Sequence, residues 1–147
     1  MTTTDSNFPN KILIVDDDPS LLRLLGIRLT AAGYNVESAA SAKIALGILK
    51  SFHPQMVISD LRMEGMDGMA LLREVRLRDP DLPVILITGH GDISTAVEAM
   101  REGAWDFLEK PFAGERLVAL AGLEGLLAAL RVVENGAKIL RRNRRKI

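Results

Sequence analysis

The sequence predicts an α/β fold: a doubly wound, five-stranded parallel sheet built from five βα units, with an extended helix at its C-terminal end. Three observations carry this. Five short runs rich in β-branched and apolar residues alternate with longer segments of helical period. The runs "ILIV", "MVIS" and "VILI" lack polar alternation, so both faces of those strands must be covered, as in the centre of a parallel sheet. Capping and stop signals fall between the runs at Asp18-Pro19, Ala32-Gly33 and Asp79-Pro80.

Taken in order, the first strand is predicted over Ile12–Asp16. Asp18 then caps a helix over 19–32 with Pro19 at its first position, and Gly33 ends it. A second strand over Asn35–Ser38 leads to a helix over 41–50, and a third strand over Met56–Asp60 leads to a helix over 67–78. The fourth strand spans Val84–Thr88 and is followed by a helix over 92–102; the fifth spans Trp105–Glu109, and a last helix begins near residue 113. The first, third and fourth strands belong in the middle of the sheet.

Composition narrows the function classes. With 147 residues, 48% of them hydrophobic, and a mean hydropathy of +0.14, the chain can bury one sizeable core. It has no cysteine, and its two histidines, His53 and His90, lie far apart, which excludes disulfides and any thiolate- or imidazole-rich zinc site. A reducing, cytoplasmic setting is expected. The opening "MTTTDSNFPN" has no apolar core, and nowhere do about 18 apolar residues run together, so neither secretion nor membrane spanning is expected. Net charge is zero, yet "RRNRRKI" holds five of the 19 basic side chains and none of the 19 acids. Nucleic acid is one partner for such a basic tip; a solvated helix end or a linker is the plainer one.

Ligand sites of open parallel sheets form beyond the carboxyl ends of the strands. There this sequence delivers Asp16 and Asp17 after the first strand, Asp60 after the third, Thr88 after the fourth and Lys110 after the fifth. Singly, each has an ordinary explanation: a solvated turn, a loop cap, a strand end, a surface lysine. Jointly they form an oxygen-rich site that suits Mg²⁺ or Mn²⁺, and the ion offsets the repulsion that clustered carboxylates otherwise suffer. A divalent cation beside an ammonium and a hydroxyl points to a phosphoryl group. With no cysteine available, the nucleophile is a carboxylate. Asp60 is the choice, since it ends a central strand and precedes "LRMEGMDG", whose glycines let backbone approach a ligand closely.

"ILIVDDDPSLLRLL", "MVISDLRMEGMDG", "VILITGHGD" and "GAWDFLEKPF" occur in this order, and together they resemble the receiver domain of two-component response regulators over residues 11–121. "TGHGDISTAVEAMREGAWDFLEKPF" resembles more narrowly the NtrC-type regulators of sigma-54 transcription. The resemblance implies a CheY-like, flavodoxin-like strand order 2-1-3-4-5 and a phosphorelay role in which Asp60 accepts phosphate from a sensor histidine kinase. It implies Mg²⁺ held by Asp17, by Asp16 mainly through water, by Asp60 and by the backbone carbonyl of Arg62. Thr88 is to hydrogen-bond the phosphoryl group and Lys110 to pair with it, while Phe107 occupies the switch-aromatic position. Arg62 and His90 match positions whose side chains tune dephosphorylation. Apart from self-phosphorylation and autodephosphorylation, no enzymatic activity is implied. Two departures stand out: Glu64 replaces the loop proline usual in the family, and Phe107 lacks the hydroxyl of the commoner tyrosine. Lys110-Pro111 is the family's cis peptide position.

Under this resemblance, phosphate at Asp60 draws Thr88 inward, and Phe107 fills the space that Thr88 leaves. The fourth helix, "DISTAVEAMREG", has few large apolar anchors and is the expected moving part. Residues 1–10 read as a flexible arm and 122–147 as a linker helix. Ala119, Leu123, Leu126, Leu130, Val133, Ala137 and Leu140 repeat at coiled-coil spacing, which predicts a homodimer through this helix; the plainer alternative packs Leu117 and Leu120 on the domain's own sheet. Transcriptional output through DNA is implied only for ATPase and DNA-binding units outside these 147 residues. Two rivals are a carboxylate-nucleophile phosphatase and a receiver acting by protein contact alone. The first usually has a second acid two residues after its nucleophile, where this chain has Arg62. A nucleotide- or flavin-binding module lacks its phosphate-cradling glycine motif.

Overall fold

The computed structural model describes residues 11–89, 93–110 and 116–122, with Ile93 as backbone only. Nine elements follow in the order β1 (Lys11–Val15), α1 (Pro19–Ala31), β2 (Asn35–Ala39), α2 (Ala42–Ile48), β3 (Met56–Asp60), α3 (Gly68–Arg78), β4 (Val84–Thr88), α4 (Ile93–Arg101) and β5 (Asp106–Glu109). Helical residues 116–122, here α5, come last. All pairings are parallel and the strand order is β2-β1-β3-β4-β5, so the order reverses between β1 and β3. The doubly wound sheet expected from the alternating runs is the observed fold.

The apolar strands fill two layers by simple alternation. Leu13, Val15, Val57, Val84 and Leu86 point to one face and meet Leu71, Leu72 and Val75 of α3 together with Ala42 and Ala45 of α2 and Ala99 of α4. Ile12, Ile14, Met56, Ile58, Ile85 and Ile87 point to the other and meet Leu25 and Leu29 of α1 with Leu117 and Ala121 of α5. Helices on both sides remove the need for polar alternation, which is why β1, β3 and β4 could be read as central from sequence. Among the described side chains of α4, the buried ones are the small Ala96 and Ala99, while Val97 and Met100 stay exposed.

Element ends differ from expectation by one or two residues, for local reasons. β1 stops at Val15 rather than Asp16: Asp16 N–H still reaches Ala39 O at 3.1 Å, but its carboxylate accepts Asp18 N–H at 2.9 Å and turns the chain. β5 starts at Asp106 rather than Trp105, although Trp105 N–H donates to Val84 O at 2.9 Å. Ser41 and Asp67 are N-caps rather than first helical residues, accepting from Ile44 and Ala70 N–H. Asp18 caps α1 as read, accepting from Ser20 and Leu21 N–H, and Gly33 with φ of 101° terminates the helix where a side chain would be strained. Replacing Asp18 with alanine is expected to cost about 1 kcal/mol in urea unfolding while leaving Mg²⁺ affinity unchanged. Residues 1–10, the Lys110-Pro111 peptide, His90 and the predicted seam beyond Ala119 lie outside the described residues. Within α5, Leu117 and Ala121 are buried and Leu120 packs on the core, as in the plainer reading of that helix.

Candidate functional site

Strand register builds the site. Beyond the ends of β1, β3 and β5 the ladder continues by one hydrogen bond each: Asp16 N–H to Ala39 O at 3.1 Å, Leu61 N–H to Ile87 O at 2.9 Å and Lys110 N–H to Thr88 O at 2.8 Å. Chain segments far apart in sequence therefore end level with one another, next to the point where strand order reverses. Asp16, Asp60 and Thr88 are buried there, Asp17 is exposed and Lys110 is half-buried.

Asp16, Asp17 and Asp60 each offer an oxygen, and these three oxygens lie within 4.8 Å of one another. Lys110 Nζ stands 3.6 Å from Asp60 Oδ2 and 3.8 Å from Asp16 Oδ2, so one ammonium faces two carboxylates. Two charges of one sign remain poorly offset. The Asp16 carboxyl is raised to about 6, mainly by burial and in part by the neighbouring Asp60, with the Asp18 N–H bond and Lys110 opposing. Burial also raises the Asp60 carboxyl, with Lys110 and the Arg62 backbone N–H opposing. Asp16 Oδ2 is buried and accepts no hydrogen bond. A buried, unsatisfied carboxylate oxygen among two further carboxylates fits a hard divalent cation of Mg²⁺ type, for which oxygen donors are the natural ligands.

Thr88 Oγ1 is likewise buried without a hydrogen-bond partner, an arrangement that leaves a donor to spare beside the cup. Phe107 is paired with Leu86 across the β4–β5 ladder and packs, partly buried, against the α2–α3–α4 layer. Asp16, Asp17, Asp60, Thr88 and Lys110 thus share one edge of the sheet, and Arg62 joins them through its N–H on the Asp60 carboxylate.

Sequence reading missed three contacts. Glu64 N–H donates to Asp17 Oδ2 at 3.4 Å, a bond that the proline usual at this position cannot make, so the substitution flagged in the sequence carried the signal. Ser59, buried in β3, donates its hydroxyl to Asp60 O at 2.9 Å. The loop glycines also act otherwise than expected: Gly65 supplies a turn with φ of 74°, and Gly68 packs against the Asp60 backbone itself rather than making room for a ligand.

A doubly wound sheet of this strand order, closed at its carboxyl edge by such a cup, defines a CheY-like α/β domain. The chain belongs to the response regulator receiver domain family, whose model matches residues 12–121. It is 51% identical over 110 residues to the C4-dicarboxylate transport transcriptional regulatory protein DctD of Rhizobium meliloti, covering 75% of this chain and 24% of that protein. It is 49% identical to the transcriptional regulatory protein GlrR of Escherichia coli, covering 72% of this chain and 24% of that protein. Among solved structures, NtrX from Brucella abortus superposes with a TM-score of 0.82 at 37% identity, over 86% of this chain and 29% of that one. These relatives are of the NtrC type, and the chain spans about a quarter of their length. No helix among the described residues is long and apolar enough to cross a membrane.

Proposed function

We propose that the chain is a phosphorelay receiver: Asp60 takes a phosphoryl group from a sensor histidine kinase, and the domain then switches the output of a longer transcription regulator. The observation that carries this reading is the meeting of Asp16, Asp17 and Asp60 around one point, with Lys110 Nζ at 3.6 Å from the Asp60 carboxylate and an uncommitted Thr88 hydroxyl alongside. The names of the relatives, which are transcriptional regulators, support the output.

In the transfer, an Asp60 Oδ attacks phosphorus as the bond from phosphorus to the kinase imidazole nitrogen breaks, leaving an acyl phosphate on this chain and a free imidazole on the kinase. Asp16, Asp17, Asp60 and the Arg62 carbonyl would hold Mg²⁺, which would supply positive charge for the phosphoryl oxygens. Lys110 turns from its two carboxylates to the new phosphoryl oxygens, and the Thr88 hydroxyl donates to one of them, gaining the partner it lacks. Phe107 then moves into the space Thr88 gives up. α4 follows, because among its described side chains the buried ones are Ala96 and Ala99, which offer little packing to resist a shift. Taking such an equilibrium from 1:99 to 99:1 needs about 5.5 kcal/mol, within reach of several charge-assisted bonds. Dimerisation through the C-terminal helix from residue 122 onward is the proposed route to the output.

Incubation with Mg²⁺ and acetyl phosphate tests this. Intact mass is expected to rise by one phosphoryl group, a chelator to prevent the gain, and size-exclusion chromatography to report any change in oligomer. No covalent phosphate under these conditions would overturn the reading, and turnover of unrelated phosphate esters would favour a phosphatase.

A further inference from the structure

We propose that Gly68 and Ser59 are positioning residues for the transfer at Asp60, both fixing the peptide that follows the acceptor; the inference rests on the reading of Asp60 as acceptor. Ser59 sits in the middle of the sheet, fully buried, where alternation places apolar side chains on the same face of β3 and its neighbours. A hydroxyl there costs free energy unless it is bonded, and its bond goes to the Asp60 carbonyl at 2.9 Å. Gly68, the first residue of α3, packs against the same carbonyl. A Cβ built on Gly68 would collide with Asp60 O, lie 2.8 Å from Leu61 Cα and 3.2 Å from Asp60 C, all of them backbone atoms that cannot rotate away.

The peptide between Asp60 and Leu61 is one rigid plane. Its carbonyl end is held by Ser59 and Gly68, and its N–H end donates to Ile87 O at 2.9 Å. Gly68 N–H also donates to Leu61 O at 3.0 Å, closing the loop from 61 to 68 back on this plane. With the plane fixed, the Asp60 carboxylate has only its own side-chain torsions left, and the Arg62 N–H on the carboxylate restrains those. The Arg62 carbonyl, two peptides further on, follows from the same registration. The grip thus sets both the nucleophile and a proposed ligand of the ion without touching either.

Gly68→Ala forces the plane to move. A misplacement near 1 Å costs about a hundredfold in rate, so phosphorylation by acetyl phosphate is expected to slow about tenfold to a hundredfold, with weaker Mg²⁺ binding measured by calorimetry. Ser59→Ala adds no atom and is expected to shift both readouts in the same direction by less. Leu29→Ala, in the opposite layer, serves as the control that loses stability alone. All proteins are compared well below their melting temperatures. A folded Gly68→Ala with the rate and Mg²⁺ affinity of Leu29→Ala overturns the proposal; if Gly68→Ala does not fold, Ser59→Ala with wild-type values does so. Wild-type protein that takes no phosphate removes the acceptor reading and this inference with it, whereas phosphorylated wild type beside unaffected variants removes the inference alone.

Discussion

Asp60→Asn is expected to abolish covalent phosphate uptake, leaving the intact mass unchanged after prolonged incubation with Mg²⁺ and acetyl phosphate. The substitution is nearly isosteric, so packing around a residue only 7% exposed should survive. What disappears is the anionic oxygen, since an amide oxygen does not make a stable bond to phosphorus under these conditions. Asp16 and Asp17 remain, yet neither has the place of Asp60, whose Oδ2 lies 3.6 Å from Lys110 Nζ at the end of a central strand. Metal-free stability at neutral pH should rise, because one of three crowded carboxylates is gone and Lys110 is left facing Asp16 alone. Asp5→Asn, far from the cup in sequence, should take phosphate as the wild type does. A modified mass in Asp60→Asn would end the assignment.

Without metal, the domain is expected to be more stable near pH 5 than near pH 7.5, the reverse of ordinary acid denaturation. Asp16 carries the sign: its folded carboxyl is raised to about 6, above the ordinary 3.8. Between those values the folded state keeps a proton that the unfolded chain has released, so stability falls as pH rises, and this contribution is gone above the folded value. Over the whole window the shift corresponds to a loss on the order of 3 kcal/mol, of which about 1.4 kcal/mol falls between pH 5 and pH 7.5, still a sizeable part of a typical domain's margin. Asp60, also raised, acts in the same direction. Mg²⁺ binds the ionised carboxylates and should restore stability at the higher pH, by about 2.7 kcal/mol at a hundred times its dissociation constant, while doing little where Asp16 is protonated. Urea unfolding at both pH values, with and without Mg²⁺, reads this, and Asp16→Asn should flatten the pH difference. Equal metal-free stability at the two pH values in the wild type would refute it.

The chemistry of the site was legible because it arrives on strand ends. Asp16, Asp60, Thr88 and Lys110 each follow an apolar run whose limits can be read locally, and a parallel sheet aligns those limits. Asp17 and Asp18 were separable for the same reason, since Pro19 marks Asp18 as the cap. Ser59 and Gly68 were not legible in those roles. A serine inside "MVIS" reads as a minor interruption of an apolar strand, and a glycine inside "MDG" reads as loop punctuation. Their partner is a backbone atom, and backbone carries no letter in a sequence.

Sequence by itself therefore determined the strands, the helices between them, the central position of β1, β3 and β4, and the set of side chains at the carboxyl edge. Those properties follow from period and punctuation, which act over a few residues. Tertiary structure alone decided that one lysine serves two carboxylates, that burial is the main cause raising Asp16 to about 6, that the Thr88 hydroxyl lacks a partner, and that Gly68 packs against the Asp60–Leu61 peptide. Each of these is a distance or a desolvation set by segments dozens of residues apart, and such quantities exist only once the layers have closed around the sheet.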